Sequence, residues 1–306
     1  MADLSPENPY PPFELANRVH SLESDDSESF RSYEEKGAFA REQLQALGPR
    51  DFSFDGKRVL DFGCGAGRTL RHFLAEAEAG EFWGADIDRR SIEWLEENLC
   101  PPLNLVQSEV DPPLPFESGT FDLAWAISVF THLAGNSADW LLELHRVLKP
   151  GGLLMASYMG EWNSELIAGE EWEEDRIGMN VLFHDRPWGE GGPMVLMSDW
   201  WVREHWGRAF ELLVASPWVH NQCWLMMRRK DVSITAEELL APGPDPREWT
   251  ALRHNLEQVR REVEQLGSFI SGEIDRTEEA SAAYEDSLSW RLTRPVRALG
   301  RRFGSR

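Results

Sequence analysis

Glycines and carboxylates lie close together in one part of the sequence, with a spacing that suits a nucleotide-like cofactor. The run Val59–Gly67 contains Gly63, Gly65 and Gly67 directly after an apolar stretch that predicts a β-strand. Glycine lets the backbone turn sharply there, and it lets a ligand approach without a Cβ atom in the way. Arg68 stands where a dinucleotide-binding fingerprint requires its third glycine, which argues against a hydride-transfer enzyme.

Two carboxylates flank this glycine turn. Asp61 closes the first predicted strand, where it can hold a cationic group of a ligand or act as a turn residue. Asp86 closes the second predicted strand, 23 residues after Gly63. A carboxylate at that place can accept hydrogen bonds from two ribose hydroxyls. An acid beside the turn suits a ligand with an ammonium and a sulfonium better than one with a pyrophosphate.

Strands and helices alternate around these residues. Strands are predicted over 57–62, 81–86, 103–107, 121–127, 153–158, 210–215 and 223–229. Helices are predicted over 29–47, 67–79, 90–99, 137–148 and 198–207. The alternation predicts an α/β fold, in which helices cover both faces of an open and mainly parallel sheet.

Five segments, in order along the chain, resemble the class I S-adenosylmethionine-dependent methyltransferases of the small-molecule (type 11) branch. They are 59–67 (motif I), 84–88 (the acidic motif), 114–123 and 128–133 (the start and end of the fourth strand), and 146–152 (the turn into the fifth strand). The resemblance implies a Rossmann-like sheet of seven strands with a reversed final hairpin. It also implies S-adenosyl-L-methionine as the cofactor.

The same resemblance implies roles for single residues. The three glycines would pass under the methionine part of the cofactor, Asp86 would hold the ribose, and Ser128 would face the methionine. Glu109 falls in the segment that flanks the adenine, where the family often has an aspartate. Tyr33 on the N-terminal helix either closes over the cofactor or simply packs. The predicted cofactor-binding residues are Tyr33, Asp61, Gly63, Cys64, Gly65, Gly67, Asp86, Ile87, Glu109 and Ser128.

Histidines are the candidates for catalysis. Methyl transfer from a sulfonium is an in-line displacement, and an alcohol acceptor gains from a base that takes its proton. His132, at the exit of the fourth predicted strand, is the first candidate, although a capping role is equally open. His220, before the last strand, is the second, and His184 is the third. The His, Cys and Asp residues show no metal-ligand spacing, so no metal is predicted.

Tryptophans concentrate where such enzymes cover their acceptor. Eight of the fourteen lie between Trp162 and Trp224, and flat aromatic faces suit a sugar ring. A second small core made of large residues is the alternative. The segments 201–207, 210–212 and 220–222 resemble methyltransferases associated with bacterial surface-polysaccharide assembly, which implies a glycan acceptor. The predicted acceptor-binding residues are Trp162, His184, Trp188 and Asn221.

Two other functions remain open at this point. A methyltransferase that acts on a lipid, a quinone or another small metabolite has the same cofactor residues. A scaffold that keeps the fold without catalysis, and recruits glycan enzymes, is the third hypothesis. Intact Asp61, Asp86 and glycine turn argue against the scaffold.

Domain organisation follows from composition and periodicity. We predict a mobile segment 1–28, a methyltransferase domain 29–230 with an acceptor-covering insertion 159–197, a linker 231–247, a heptad helix 248–285 and a basic amphipathic tail 286–306. Apolar residues over 249–270 recur at spacings of 3 and 4 residues. This spacing predicts either a coiled-coil homodimer or a helix folded back onto the domain.

The tail resembles a short segment found on many O-antigen and capsule glycosyltransferases. Its six arginines among apolar residues favour an anionic membrane surface or a glycan-assembly complex over a free basic tail. The net charge of −22 argues against a nucleic-acid substrate. The sequence has no apolar run near the length of a membrane span, no secretion signal and no paired cysteine pattern. We therefore expect a cytoplasmic protein that associates peripherally with the inner face of the membrane.

Overall fold

A computed structural model describes residues 8–19, 22, 24–169, 171–184, 186–187, 191–219 and 222–286. They belong to two compact units, one up to His254 and one from Asn255 onward. The strands are β1 (Arg58–Phe62), β2 (Glu81–Asp86), β3 (Asn104–Gln107), β4 (Phe121–Ala126), β5 (Leu148–Tyr158), β6 (Met179–Leu182), β7 (Met194–Met197), β8 (Phe210–Val219) and β9 (Gln222–Arg229). The α-helices are α1 (Phe13–Val19), α2 (Ser27–Leu47), α3 (Leu74–Ala77), α4 (Arg89–Asn98), α5 (Ser137–Val147), α6 (Glu161–Asn163), α7 (Asp199–Ala209), α8 (Ala236–Leu240) and α9 (Arg247–Asp286).

Seven strands form one sheet in the order β3-β2-β1-β4-β5-β9-β8. The strands from β3 to β5 run parallel to one another, and β9 runs antiparallel to both β5 and β8. Alternate side chains fill a core on each face, with Leu60 and Leu154 on one side and Val59 and Met155 on the other. This arrangement confirms the predicted Rossmann-like sheet with its reversed final hairpin.

Side-chain caps set the starts of three helices. The Asp26 carboxylate accepts hydrogen bonds from two backbone N–H groups in the first turn of α2. Asp88 caps α4 by accepting from the backbone of Ser91, and Ser198 caps α7. Such caps satisfy N–H groups that have no partner inside the helix. Helices α2, α4 and α7 therefore begin within two residues of the predicted positions.

The segment after the glycine turn differs from the prediction of one helix over 67–79. Gly67 has a φ of +77°, and its N–H closes a turn with the carbonyl oxygen of Cys64 at 2.9 Å. A left-handed residue cannot begin a right-handed helix. The chain forms a 3₁₀ turn over Leu70–Phe73 first, and only then the short helix α3. The predicted helix was too long at both ends.

The N-terminal segment contains helix α1, within the stretch 1–28 that the sequence predicts to be mobile. Ala16 is fully buried and packs with Leu22 and Tyr33 in a small apolar cluster. Arg71 donates a hydrogen bond to the backbone oxygen of Asn8 at 3.0 Å. The described part of this segment therefore contains a helix and buried apolar residues, and its mobility stays a prediction.

The insertion 159–197 forms a small sheet of its own. Strands β6 and β7 pair antiparallel, and Met159, Leu182 and Leu196 form an apolar cluster beside them. The N–H of Val195 donates to the carbonyl oxygen of Thr131 at 2.8 Å, and a second backbone bond joins β7 to Met159. Since both partners follow the carboxyl ends of β4 and β5, the insertion lies at that edge of the main sheet.

A buried ion pair joins α7 to the first turn of α9. His205 Nε2 lies 2.8 Å from the Glu248 carboxylate, and His205 Nδ1 lies 2.8 Å from the carbonyl oxygen of Leu239. A carbonyl only accepts, so Nδ1 carries a proton, and a second proton must lie between Nε2 and Glu248. The segment 231–247, predicted as a linker, instead forms helix α8 and packs against α7.

Within the described residues, the second unit is the part of α9 from Asn255 to Asp286. The helix runs through to Asp286, which agrees with the predicted helix over 248–285. None of the helices within the described residues is both long enough and apolar enough to cross a membrane.

Candidate functional site

The glycine turn lies between β1 and the 3₁₀ turn, at the carboxyl edge of the sheet. Gly63, Gly65 and Gly67 all have positive φ angles, of 75°, 52° and 77°, which favour glycine. A Cβ atom on Gly63 would overlap the side chain of Val129. The N–H of Gly63 donates to the carbonyl oxygen of Ala85 at 2.7 Å. The turn is therefore held against β2, and glycine is required at position 63 because the Val129 side chain leaves no room for a Cβ atom.

Asp86 receives two backbone hydrogen bonds at the end of β2. One carboxylate oxygen accepts from the N–H of Gly65 at 2.6 Å, and the other accepts from the N–H of Asp88 at 2.8 Å. Burial raises the pKa of Asp86, and the two N–H groups oppose that rise. Each oxygen keeps a second lone pair, so the carboxylate can still accept from a diol. The next residue, Ile87, is 47% exposed and offers an apolar surface to a flat ring.

Asp61 is a buried acid in the middle of this edge. Its side chain is 3% exposed, and its Oδ2 atom has no hydrogen-bond partner within the described part of the chain. Burial raises the pKa of Asp61 to about 7, against the effects of Trp125 and Arg68. A buried carboxyl oxygen without a partner is costly. Such an atom fits a site in which a ligand supplies the missing positive charge or donor.

The N-terminal helices α1 and α2 contact the loops that follow β2 and β1, respectively. The Tyr33 hydroxyl donates to the carbonyl oxygen of Ala66, inside the glycine turn, at 3.2 Å. Arg18 of α1 forms an ion pair with Asp88 at 3.0 Å, two residues after Asp86. Tyr33 is therefore a packing residue that also fixes the turn. Arg18 was not predicted as a site residue, because it lies in none of the sequence motifs.

The loop after β4 carries a strained residue. Ser128 has a φ of +61°, which is uncommon for a residue with a side chain and clusters at functional sites. Its N–H donates to Ser157 Oγ at 2.8 Å, and its own Oγ accepts from the Gln222 amide at 2.8 Å. Ser157 and Gln222 were not predicted as site residues. Ser157 had a usable signal, since it is the one serine in the otherwise apolar and aromatic run Leu153–Tyr158.

His132 lies on the same loop, three residues after Val129, whose side chain contacts Gly63. Its Nδ1 atom is 2.9 Å from the carbonyl oxygen of Pro193, in the insertion. Because a carbonyl only accepts, Nδ1 is the protonated nitrogen of the neutral ring, and Nε2 carries the lone pair. Burial lowers the pKa of His132, and the Pro193 carbonyl opposes this. The ring is thus neutral near pH 7 and has the tautomer of a base.

The remaining predicted residues fall into three groups. Cys64 is buried, burial raises the pKa of its thiol, and its Sγ–H points to the Gly65 carbonyl at 3.5 Å. Glu109 and His184 are exposed, and Trp162 is 56% exposed directly after β5. Trp188, His220 and Asn221 lie outside the described residues, as does the tail 287–306.

Four of the six tryptophans of the acceptor region whose side chains the structure describes belong to the core. Trp200, Trp201, Trp206 and Trp224 are all under 10% exposed. Trp206 packs on Phe130, with ring centroids 4.8 Å apart. These four side chains pack into the two main cores of the sheet, rather than lining an acceptor site or forming a separate small core. Among the described tryptophans of this region, Trp162 has a mostly exposed side chain.

Metal-binding groups are absent from the part of the chain that the structure describes, where no three His, Cys, Asp or Glu side chains are placed to hold an ion. The site residues described above are instead backbone N–H groups, single carboxylates, hydroxyls and one imidazole. Their chemistry suits an organic cofactor with a diol and a cationic end.

Comparison with known proteins identifies a known domain in the central part of the chain. Residues 60–156 match the family described as methyltransferase domain. This segment carries a methyltransferase domain. It spans β1 to β5 and so includes the glycine turn, Asp61, Asp86 and Ser128.

Two curated relatives match the methyltransferase domain and its surroundings. A phthiotriol/phenolphthiotriol dimycocerosates methyltransferase of Mycobacterium ulcerans is 33% identical over 124 residues, which are 40% of this chain and 44% of the relative. A 2-methyl-6-phytyl-1,4-hydroquinone methyltransferase of Synechocystis is 31% identical over 121 residues, which are 39% of this chain and 37% of the relative. The match therefore spans less than half the length of each of these relatives.

One solved structure shows the fold over a larger part of the chain. The PH0226 protein of Pyrococcus horikoshii superposes with a TM-score of 0.50 and 21% identity, covering 70% of this chain and 98% of that one. At 21% identity, this likeness shows the fold alone.

Proposed function

We propose that this protein is an S-adenosylmethionine-dependent methyltransferase that methylates a hydroxyl oxygen of a small or lipid-linked acceptor. One observation carries the proposal. The glycine turn, the buried Asp61 and the diol-competent Asp86 converge at one edge of the sheet, within a matched methyltransferase domain.

S-adenosylmethionine supplies the methyl group when it is bound. Asp86 is the residue for the ribose hydroxyls, since both its oxygens are fixed by backbone N–H groups. Asp61 is the residue for the methionine ammonium, because its carboxyl has an unpartnered oxygen. The exposed face of Ile87 suits the adenine ring. Each role uses a group that the fold already holds in place.

His132 is proposed as the base. A neutral hydroxyl loses its proton as the oxygen–methyl bond forms, and Nε2 is the ring nitrogen that can accept it. The Pro193 carbonyl stabilises the imidazolium that results, since it accepts from Nδ1 in both states. The products are then the methyl ether, the demethylated cofactor and a proton on His132.

The sugar hydroxyl predicted from sequence remains the first candidate acceptor. It is supported by the exposed Trp162 and its neighbour Glu161 in α6, which follows β5. The first can pack on a ring face, and the second can accept from hydroxyls. The buried tryptophans no longer support it. A hydroxyl-bearing lipid or hydroquinone is the second candidate, favoured by the printed names of the two curated relatives.

Transfer of a labelled methyl group decides between these acceptors. The full chain is incubated with methyl-labelled S-adenosylmethionine and, in parallel, with lipid-linked glycans, hydroxylated lipids and hydroquinones. Label in an ether of one class assigns the acceptor. Label on a carbon or nitrogen atom would contradict the oxygen chemistry, while the cofactor assignment would stand.

Calorimetry separates an enzyme from a scaffold. We expect S-adenosylhomocysteine to bind the full chain with a one-to-one stoichiometry. If it does not bind, the scaffold hypothesis is the better one.

The basic tail is proposed to bring the enzyme to an anionic membrane surface or to a glycan-assembly complex. Support comes from its six arginines and apolar residues. Cosedimentation with phosphatidylglycerol vesicles, against phosphatidylcholine vesicles as the control, tests the membrane. Equal recovery with both lipids would contradict surface binding.

A further inference from the structure

The second unit carries an apolar stripe along the surface of α9. Leu256, Val263, Leu266 and Ile270 are each between 46% and 70% exposed. A shallow groove of about 310 Å³ lies further along the same helix, beside Ile270. An apolar stripe on one face marks a helix that buries that face against another element. The stripe therefore predicts a partner helix.

The stripe has the order of a two-stranded coiled coil. In heptad terms, Leu256, Val263 and Ile270 occupy position a, while Val259 and Leu266 occupy position d. β-Branched residues at a together with leucine at d favour two parallel strands. Two of the three a residues and one of the two d residues follow this rule.

Two further apolar residues lie beside the seam, where charged residues are usual. Phe269 at position g and Ile274 at position e are 61% and 53% exposed. In a parallel pair in register, each g residue faces the e residue five positions later in the other helix. Phe269 would then pack against the partner's Ile274, and this contact would bury both exposed side chains.

The other flanking pairs are compatible with two identical helices. They combine asparagine with arginine, glutamate with glycine and arginine with serine, so no like charges meet: Asn255–Arg260, Glu262–Gly267 and Arg276–Ser281. Glu273 ends the apolar seam at its d position and is paired within its own helix to Arg276 at 2.6 Å.

The charge of the second unit also argues against two other partners for this stripe. The range 255–286 contains nine acidic and three basic residues. An acidic polar face disfavours an anionic membrane surface or a nucleic acid. A second copy of the chain, by contrast, provides the partner residue for each of the g–e pairs described above.

We propose that residues 255–274 of two copies pair as a parallel, in-register coiled coil, and that the chain is a homodimer through this helix. The proposal is independent of the methylated acceptor. It requires only the heptad order, the exposure of the stripe and the match of Phe269 with Ile274.

Sedimentation velocity of the full chain tests the oligomeric state. We expect a mass twice the 35.0 kDa of one chain. Leu266→Asp places a charge in the seam and should weaken the dimer by ~100-fold or more. Ser268→Asp adds the same charge on the outer face and should leave the dimer unchanged. Unaltered binding of S-adenosylhomocysteine shows that the first unit of each variant is folded.

Cross-linking tests the orientation. Leu266→Cys should form an intermolecular disulfide under mild oxidation, since two d residues face each other only in a parallel pair in register. Arg261→Cys, on the outer face, and the unmodified chain are the controls. Phe269→Lys should weaken the dimer, and adding Ile274→Glu should restore it through a g–e ion pair.

Three results would overturn the proposal. They are a monomeric chain at every concentration at which it stays soluble, a mass three or four times that of one chain, and a Leu266→Cys chain that does not cross-link. A monomer would mean that a different protein, or the first unit itself, covers the stripe.

Discussion

The two sides of the sheet's carboxyl edge are built from different kinds of contact. On the β1–β2 side, backbone groups hold the glycine turn and Asp86, as in the bond from Gly65 N–H to the Asp86 carboxylate at 2.6 Å. On the β4–β5 side, side chains from distant segments meet: Ser128 bonds Gln222, and His132 bonds the Pro193 carbonyl. The β1–β2 side, the proposed cofactor side, is therefore held by one compact motif. The β4–β5 side, the proposed acceptor side, depends on the insertion and the final hairpin, and it also carries Ser128, which is predicted to face the methionine of the cofactor.

This difference implies that cofactor binding and methyl transfer can be changed separately. A substitution on the acceptor side should alter turnover while leaving cofactor affinity intact. A substitution on the cofactor side should lower cofactor affinity while leaving turnover at saturating cofactor intact. The following four experiments test that separation.

His132→Asn should give the largest effect. Asparagine can still donate to the Pro193 carbonyl, but it lacks the basic Nε2 nitrogen. We expect kcat to fall between ~100- and ~10,000-fold, with unchanged affinity for S-adenosylhomocysteine. For the unaltered enzyme, burial lowers the pKa of His132, so activity should fall only below the ordinary histidine range near pH 6.5. His145→Gln, which can still donate to the Lys230 carbonyl that His145 Nε2 contacts at 2.9 Å, is the control, and equal losses in both variants would contradict the role of His132.

Asp86→Ala should weaken cofactor binding by ~100-fold, since hydrogen bonds to a charged group contribute ~1.5–3 kcal/mol. The fold should be retained, because Asp86 lies at the end of its strand. Isothermal titration with S-adenosylhomocysteine measures the affinity, and thermal unfolding checks the fold. Glu81→Ala, at the other end of β2, is the matched control. Unchanged affinity in the Asp86 variant would refute the ribose assignment.

Asp61→Asn should change how cofactor affinity depends on pH. The pKa of Asp61 rises from 3.8 to about 7 on folding, so the folded chain loses ~4 kcal/mol of stability as pH rises through this range. A cationic ligand offsets that loss by pairing with the ionised form. Affinity for S-adenosylhomocysteine should therefore fall ~10-fold per pH unit below pH 7.

The Asn variant should lack this slope and should have a higher Tm than the unaltered, ligand-free chain at pH 8. Titrations at several pH values and thermal scans measure both quantities. If the two proteins show the same pH slope, then Asp61 does not hold the ammonium.

Arg18→Gln should have the smallest effect. Its ion pair with Asp88 ties α1 to the loop beside Asp86 at 3.0 Å, but Arg18 is half exposed. Pairs of this kind contribute ~0.2–1 kcal/mol, so we expect cofactor affinity to fall ~2- to 5-fold. The loss should shrink at high salt. Arg90→Gln, which removes a longer and more exposed pair with Glu14, is the control.

The cofactor side could be predicted from sequence because its signals are local. Glycine at the positions of positive φ, and an acid at the end of each of the first two strands, depend on neighbours within the same turn. The bounds of β1, β2 and α4 followed for the same reason, whereas the prediction failed in the segment after Gly67. There the prediction continued a helical pattern through a residue with left-handed backbone.

The acceptor side could not be predicted in the same way. Ser128 and Gln222 are 94 residues apart, and only the pairing of β5 with β9 brings them together. The tryptophans of α7 and β9 gave no indication of which face they occupy. Trp206 turned inward to Phe130, because the helix packs that face on the sheet. Composition showed how many aromatic residues the region has, but not which of them meet a ligand.

The buried pair of His205 and Glu248 sets where the catalytic unit ends as a foldable fragment. The proline-rich run 242–246 looks like the natural place to cut the chain. A fragment that stopped there would lack Glu248 and leave a histidine 1% exposed without the carboxylate that shares its proton. A fragment that continued to His254, where the first unit ends, would keep the pair. We therefore expect the shortest autonomously folding form of this protein to include the first two turns of its last helix.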